Sequence, residues 1–157
     1  MLRPLVCASL LLAIVAGCAS GGSSSSAASD IASSDLSART VVKGSVALGE
    51  TIALGYEPSE YAVNGLPYLG VTFEATDASV ANDASRTITV AGNFPGAPHL
   101  LVVDPSFKVL AETDGVRTDG GAEAKLSLPA SVFAGRNMVL IQDARWNLPM
   151  ELTVSAE

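Results

Sequence analysis

The sequence predicts an all-β fold, a jelly-roll-like two-sheet β-sandwich of about eight strands, behind a cleaved signal helix and a disordered linker. Three observations predict it. From residue 39 onward, short apolar runs are separated by Gly, Pro, Asn and Asp clusters, the punctuation of an all-β chain. Several runs alternate apolar and polar residues, the period of a strand with one wet face. No stretch sustains a helical period, and "DASVANDAS" is Ala-rich but short and turn-like. The 157 residues divide into 1–17, 18–38 and 39–157.

The first element is a short n-region with Arg3, followed by the apolar run "LVCASLLLAIV". A membrane-spanning helix needs about 20 apolar residues, so this run has the length of a signal-peptide core. Small residues Ala16 and Gly17 follow, and then Cys18. "Val15-Ala16-Gly17-Cys18" resembles the bacterial lipobox. That resemblance implies cleavage between Gly17 and Cys18, a diacylglyceryl group on the thiol and an acyl chain on the new amino group. Cys7 lies in the segment to be removed, which leaves the mature chain one cysteine and no internal disulfide. One acyl chain binds a membrane marginally and two or more hold firmly, so the chain would be anchored without spanning. Ala19, where an Asp would resemble an inner-membrane retention signal, favours the outer membrane of a bacterial envelope.

The second element, "ASGGSSSSAASDIASSDLSA", is rich in Ser, Ala and Gly without helical or strand period. It cannot bury enough surface to offset its ordering entropy, and reads as a spacer. Its root-mean-square span is roughly 25 Å, at about 5–6 Å times the square root of length.

The strands follow in order. "YLGVTFEA" sets Leu69, Val71, Phe73 and Ala75 on one face and Gly70, Thr72 and Glu74 on the other. "RTITVAG" sets Ile88 and Val90 against Thr87 and Thr89. "HLLVVD" and "NMVLIQ" are continuously apolar, as central strands are, and "FKVLAE" follows a turn at Asp104-Pro105-Ser106. "AKLSLPA" alternates through Leu126 and Leu128, and "MELTVS" through Met150, Leu152 and Val154. Phe73, Phe107 and Phe133 read as core. A domain of this size buries about two-thirds of its unfolded surface and folds without disulfides.

From about Val42 to Ser155 the order of these signals resembles the bacterial pre-peptidase C-terminal domain, a small β-sandwich appended to secreted peptidases. "GSVALGET" resembles its opening strand and turn, and "ITVAGNFPGAPHLLVVDPSFKVLAETDG" its strand, loop, Asp-Pro hairpin and polar turn. "AKLSLPASVFAGRNMVLIQD" and "MELTVS" are similar to its last hairpin and closing strand. The resemblance implies an accessory or binding role. Met138 and Met150 stand where such domains carry tyrosines, and Thr113-Asp114 where they carry paired aspartates.

Function classes narrow by composition. The formal charge is −7, with 9 Lys and Arg against 16 Asp and Glu. No basic stripe with interleaved aromatics is present, which argues against nucleic acid. His99 is the sole histidine, opening an apolar run, and reads as a strand-edge or partly buried structural residue. One His fits a zinc site poorly, and no G-x-S-x-G elbow marks a hydrolase. Asp104, Glu112, Asp114 and Asp119 fall near the ends of one hairpin and its following turn. Such carboxylates suit calcium, although the regular calcium-loop pattern is missing. Trp146 and Tyr61, with Tyr56 and Tyr68, are candidates for an aromatic recognition surface. The expectation is a non-enzymatic binding or scaffolding module, without a required cofactor. It would be anchored through acyl chains on Cys18 and take a protein, peptide or glycan ligand. The alternative is an envelope hydrolase or its accessory subunit.

Overall fold

The computed structural model describes residues 32–56, 68–74, 85–142 and 150–157. Two five-stranded sheets pack face to face, as the alternation predicts. The first contains β1 (Thr40–Ala47), β3 (Tyr68–Glu74), β9 (Met138–Gln142), β5 (His99–Val103) and β6 (Val109–Asp114), in that spatial order. The second contains β2 (Thr51–Tyr56), β10 (Met150–Ala156), β4 (Ser85–Gly92), β8 (Gly121–Pro129) and β7 (Val116–Thr118). All neighbours are antiparallel except β1 and β3.

The core lies between the sheets. Leu69, Val71 and Phe73 of β3, Ile88 and Val90 of β4, Leu100 and Val102 of β5, and Leu152 and Val154 of β10 all point into it. Phe133, on a short 3-10 helix at Ala130–Ala134, plugs one end, with its ring centroid 4.8 Å from that of Phe73. Asn137 fastens this plug. Its side chain donates to Val132 O at 2.6 Å, and its carbonyl accepts from the Phe73 amide at 3.0 Å.

Three departures from the sequence reading have physical causes. The folded body begins before residue 39, because α1 (Ser33–Arg39) packs on the outer face of the first sheet. Leu36 of α1 is fully buried there in a second apolar cluster with Tyr68, Leu101, Val103 and Leu140. That cluster explains why "HLLVVD" is apolar throughout: Leu100 and Val102 face the second sheet, and Leu101 and Val103 face α1. Gly70 is buried beneath Met138 and Thr40, and half-buried Thr72 donates to Gly44 O at 3.3 Å, although the alternation had placed both in water. Phe107 is half-buried against this outer cluster instead of sitting in the central core.

Two strands are additional to the eight expected among the described residues. β2 alternates Ile52, Leu54 and Tyr56 inward, whereas β7 is three exposed residues held by its backbone. Between β6 and β7 the chain crosses from one sheet to the other at Gly115, whose amide donates to Pro98 O at 2.6 Å. A Cβ at Gly115 would stand 2.7 Å from Pro98 Cδ and 2.8 Å from Glu123 O, so the crossing requires glycine. On edge strand β1 the register slips between Val42 and Gly44, a bulge that centres on Lys43.

Candidate functional site

Chemistry-bearing side chains gather at three places. The first is the open end of the β5–β6 hairpin. The turn Asp104-Pro105-Ser106-Phe107 closes with the Phe107 amide donating to Asp104 O at 2.9 Å, and Phe107 adopts φ 63°. Further along the hairpin the register shifts between Val102 and Val103, where Leu110 of β6 is passed over as a bulge. His99 consequently faces Asp114 across the last rung. His99 Nδ1 lies 2.7 Å from Asp114 Oδ1, and Nε2 lies 3.6 Å from Glu112 Oε2. The imidazole is 30 % exposed, Glu112 10 % and Asp114 87 %. The one histidine is thus turned to carboxylates at both nitrogens, an arrangement that ties β5 to β6. Gln142 of β9 flanks His99 on the other side.

The second place is the turn itself. Asp104 Oδ1 accepts from the Ser106 amide at 2.8 Å, the Ser106 hydroxyl at 2.6 Å and the Lys108 amide at 3.0 Å. The Ser106 hydroxyl, followed by the Lys108 and Ser106 amides, holds the Asp104 carboxyl below its ordinary value. This is an Asx-type turn built by local donors.

These two places separate the carboxylates read as calcium candidates. Asp104 sits at the closed end of the hairpin, and Asp114 opposite His99 at the open end. At roughly 3.3 Å per residue, the length of β5 puts them about 16 Å apart. Glu112 joins Asp114 around His99, while Asp119 lies in the exposed turn between β7 and β8. The four do not form one set. Among the described residues no group of three or more His, Cys, Asp or Glu has the arrangement of a metal site.

The third place is a groove of about 680 Å³ on the outer face of the second sheet, which the sequence reading missed. One row of side chains across that face runs Ala53, Thr153, Ala91, Glu123 and Val116. The next row carries Gly55 opposite Glu151. The floor is therefore small side chains and backbone, with Glu123 and Glu151 as its charged lining. Lys125 Nζ stands 2.5 Å from Glu123 Oε1, and the Glu151 amide is held by Asn93 Oδ1 at 2.8 Å. Gly55, Gly92 and Gly120 line the groove. Gly121 has φ 148°, and a Cβ there would stand 2.0 Å from Gly92 O. The signal in the sequence was the run of small residues at alternate positions of "TIALGY" and "RTITVAG", which only the register assembles into one surface.

Four candidates lie outside the described residues: Gly17 and Cys18 of the lipobox, and the aromatics Tyr61 and Trp146. Of their aromatic companions, Tyr56 is buried in the central core and Tyr68 under α1. Burial pushes the Tyr68 hydroxyl pKa up, against an opposing pull from Arg39, whose guanidinium carbon lies 5.2 Å from the ring centroid. Among the described residues no helix is long and apolar enough to cross a membrane.

No family model matches the chain, and no curated protein does. Among solved structures it is similar to the pre-peptidase C-terminal domain of a collagenase from Bacillus anthracis. The identity is 11 %, the TM-score 0.44, and the match covers 74 % of this chain and 97 % of that one. It is also similar to a periplasmic inhibitor of g-type lysozyme from Aeromonas hydrophila, with 14 % identity and a TM-score of 0.37. That match covers 74 % of this chain and all of the other. The assignment as an all-β two-sheet sandwich rests on the sheet order and register.

Proposed function

We propose that this chain is a lipoprotein of the bacterial envelope, anchored by acyl chains on Cys18 and favouring the outer membrane. Its sandwich acts as a non-catalytic binding or scaffolding module for a protein, peptide or glycan. The observation that carries the binding reading is the groove on the second sheet, whose small floor lets a ligand approach the backbone closely. The paired imidazole of His99 supports a structural role for the one histidine. The lipobox sequence and the Ser-rich segment support the anchor and its spacer.

Two experiments test the two halves separately. Cys18→Ala abolishes lipid labelling and membrane association; a variant that still sediments with membranes refutes the anchor. Ala91→Trp fills the groove from its floor, and it reduces recovery of any ligand that wild-type protein retains from envelope extract. Equal recovery by a folded Ala91→Trp protein refutes the groove as the binding surface.

A further inference from the structure

The outer faces of the two sheets differ in kind. That of the second sheet is small and polar, with Thr51, Thr87, Thr89, Thr153 and Ser155 among its residues. That of the first sheet carries an apolar patch of Tyr68, Leu101, Val103 and Leu140, and α1 covers that patch. The cover is slight. α1 has seven residues, Leu36 is its buried side chain, and Ala32 at its N-cap gives no side-chain hydrogen bond. A helix this short does not persist in water without packing. At its C-terminal end Thr40 Oγ1 donates to Leu36 O at 2.7 Å, and Arg39 lies over the Tyr68 ring. Beneath it, Tyr68, Leu101, Val103 and Leu140 are each 3 % exposed or less.

We propose that α1 is a strap that opens as a unit while the sandwich stays folded, uncovering the apolar face of Tyr68, Leu101, Val103 and Leu140. Elements held by few buried contacts open at lower free energy than the strands around them. Strap and sandwich belong to different cores, since Leu36 packs in the outer cluster and not between the sheets. Opening also lengthens the chain. Seven helical residues span roughly 10 Å at about 1.5 Å each, and roughly 24 Å when extended. This second consequence rests on the anchor proposed at Cys18: the strap then sets how far the sandwich stands from the membrane.

Hydrogen exchange on the full-length protein in detergent tests the strap directly, whatever the state of Cys18. The amides of residues 36–40 exchange about tenfold faster or more than those of β5 and β9. Leu36→Ala removes the remaining protection in α1 and raises binding of an apolar dye, while a cooperative sandwich melt persists. Ser37→Pro, which breaks the helix without touching the sheet, does the same. Exchange of α1 in step with β5 and β9 overturns the proposal. So does unchanged dye binding, or a Leu36→Ala chain that fails to fold, because a strap is separable by definition. Loss of membrane association in Cys18→Ala bears on the anchor alone and leaves these readouts as they are.

Discussion

Replacing Phe133 by Ala tests whether the short 3-10 helix closes the central core or merely lies against it. Phe133 is 1 % exposed and Phe73 is 4 %, with their rings 4.8 Å apart and tilted by 37°. Truncating a phenylalanine buried to this degree costs about 3–5 kcal/mol, the lost transfer energy plus the cavity left behind. A domain of this size is stable by about 5–15 kcal/mol, so the loss is a large fraction of the whole. With a urea slope near ~2 kcal/mol per molar, the midpoint falls by about 2 M. Phe133→Leu retains most of the volume and costs roughly half as much. A double-mutant cycle with Phe73→Leu isolates the ring pair, whose coupling is about 0.5–1.5 kcal/mol. The assay is equilibrium urea unfolding followed by far-ultraviolet circular dichroism. A Phe133→Ala midpoint within about 0.5 M of wild type refutes the plug, since a detachable helix would lose only local contacts.

Gly121→Ala places a Cβ against Gly92 O in left-handed backbone and lowers stability by about 1–3 kcal/mol or more; a melting temperature equal to wild type refutes the close approach. The depressed folded pKa of Asp104 means that its ionised form stabilises the turn above the unfolded value, near 3.9, and that this contribution disappears as pH falls through the lower folded value. Asp104→Asn therefore flattens the acid limb of the stability curve below about pH 4, and an acid limb identical to wild type removes the argument. Calcium added after chelation leaves the melting temperature unchanged, because the hairpin holds Asp104 away from Glu112 and Asp114; a rise with added calcium revives a metal role for one of the subsets.

The sandwich was legible because period-two alternation is a property of neighbours along the chain. Ile88 and Val90, or Leu152 and Val154, declare their common face without reference to any other strand. α1 was not legible, because Leu36 stands alone among Ser, Asp and Ala, and a single apolar residue has no period. What holds it is a cluster assembled from three strands far apart in sequence. The His99 arrangement turned on one residue of register. Continuing the pairing of Val103 with Val109 would set Thr113 opposite His99, and the bulge moves Asp114 there instead. That slip falls at Leu110, a residue whose type gives no warning of it. The groove was hidden for a similar reason. Ala53, Ala91 and Thr153 are unremarkable in their own strands, and become one surface when β10 is inserted between β2 and β4.

The register slip at Lys43 has a consequence for crowding. β1 is the outermost strand of its sheet and meets β3 in parallel, with Val42 54 % exposed. A straight strand in that position would be a template on which another copy's strand could add, and then another. The slip breaks the even spacing of donors and acceptors after the third paired residue, and it places a lysine at the break. Molecules confined to a surface meet far more often than molecules free in solution. If the anchor proposed at Cys18 holds the chain at such a surface, the interrupted border on β1 guards against edge-to-edge addition of strands.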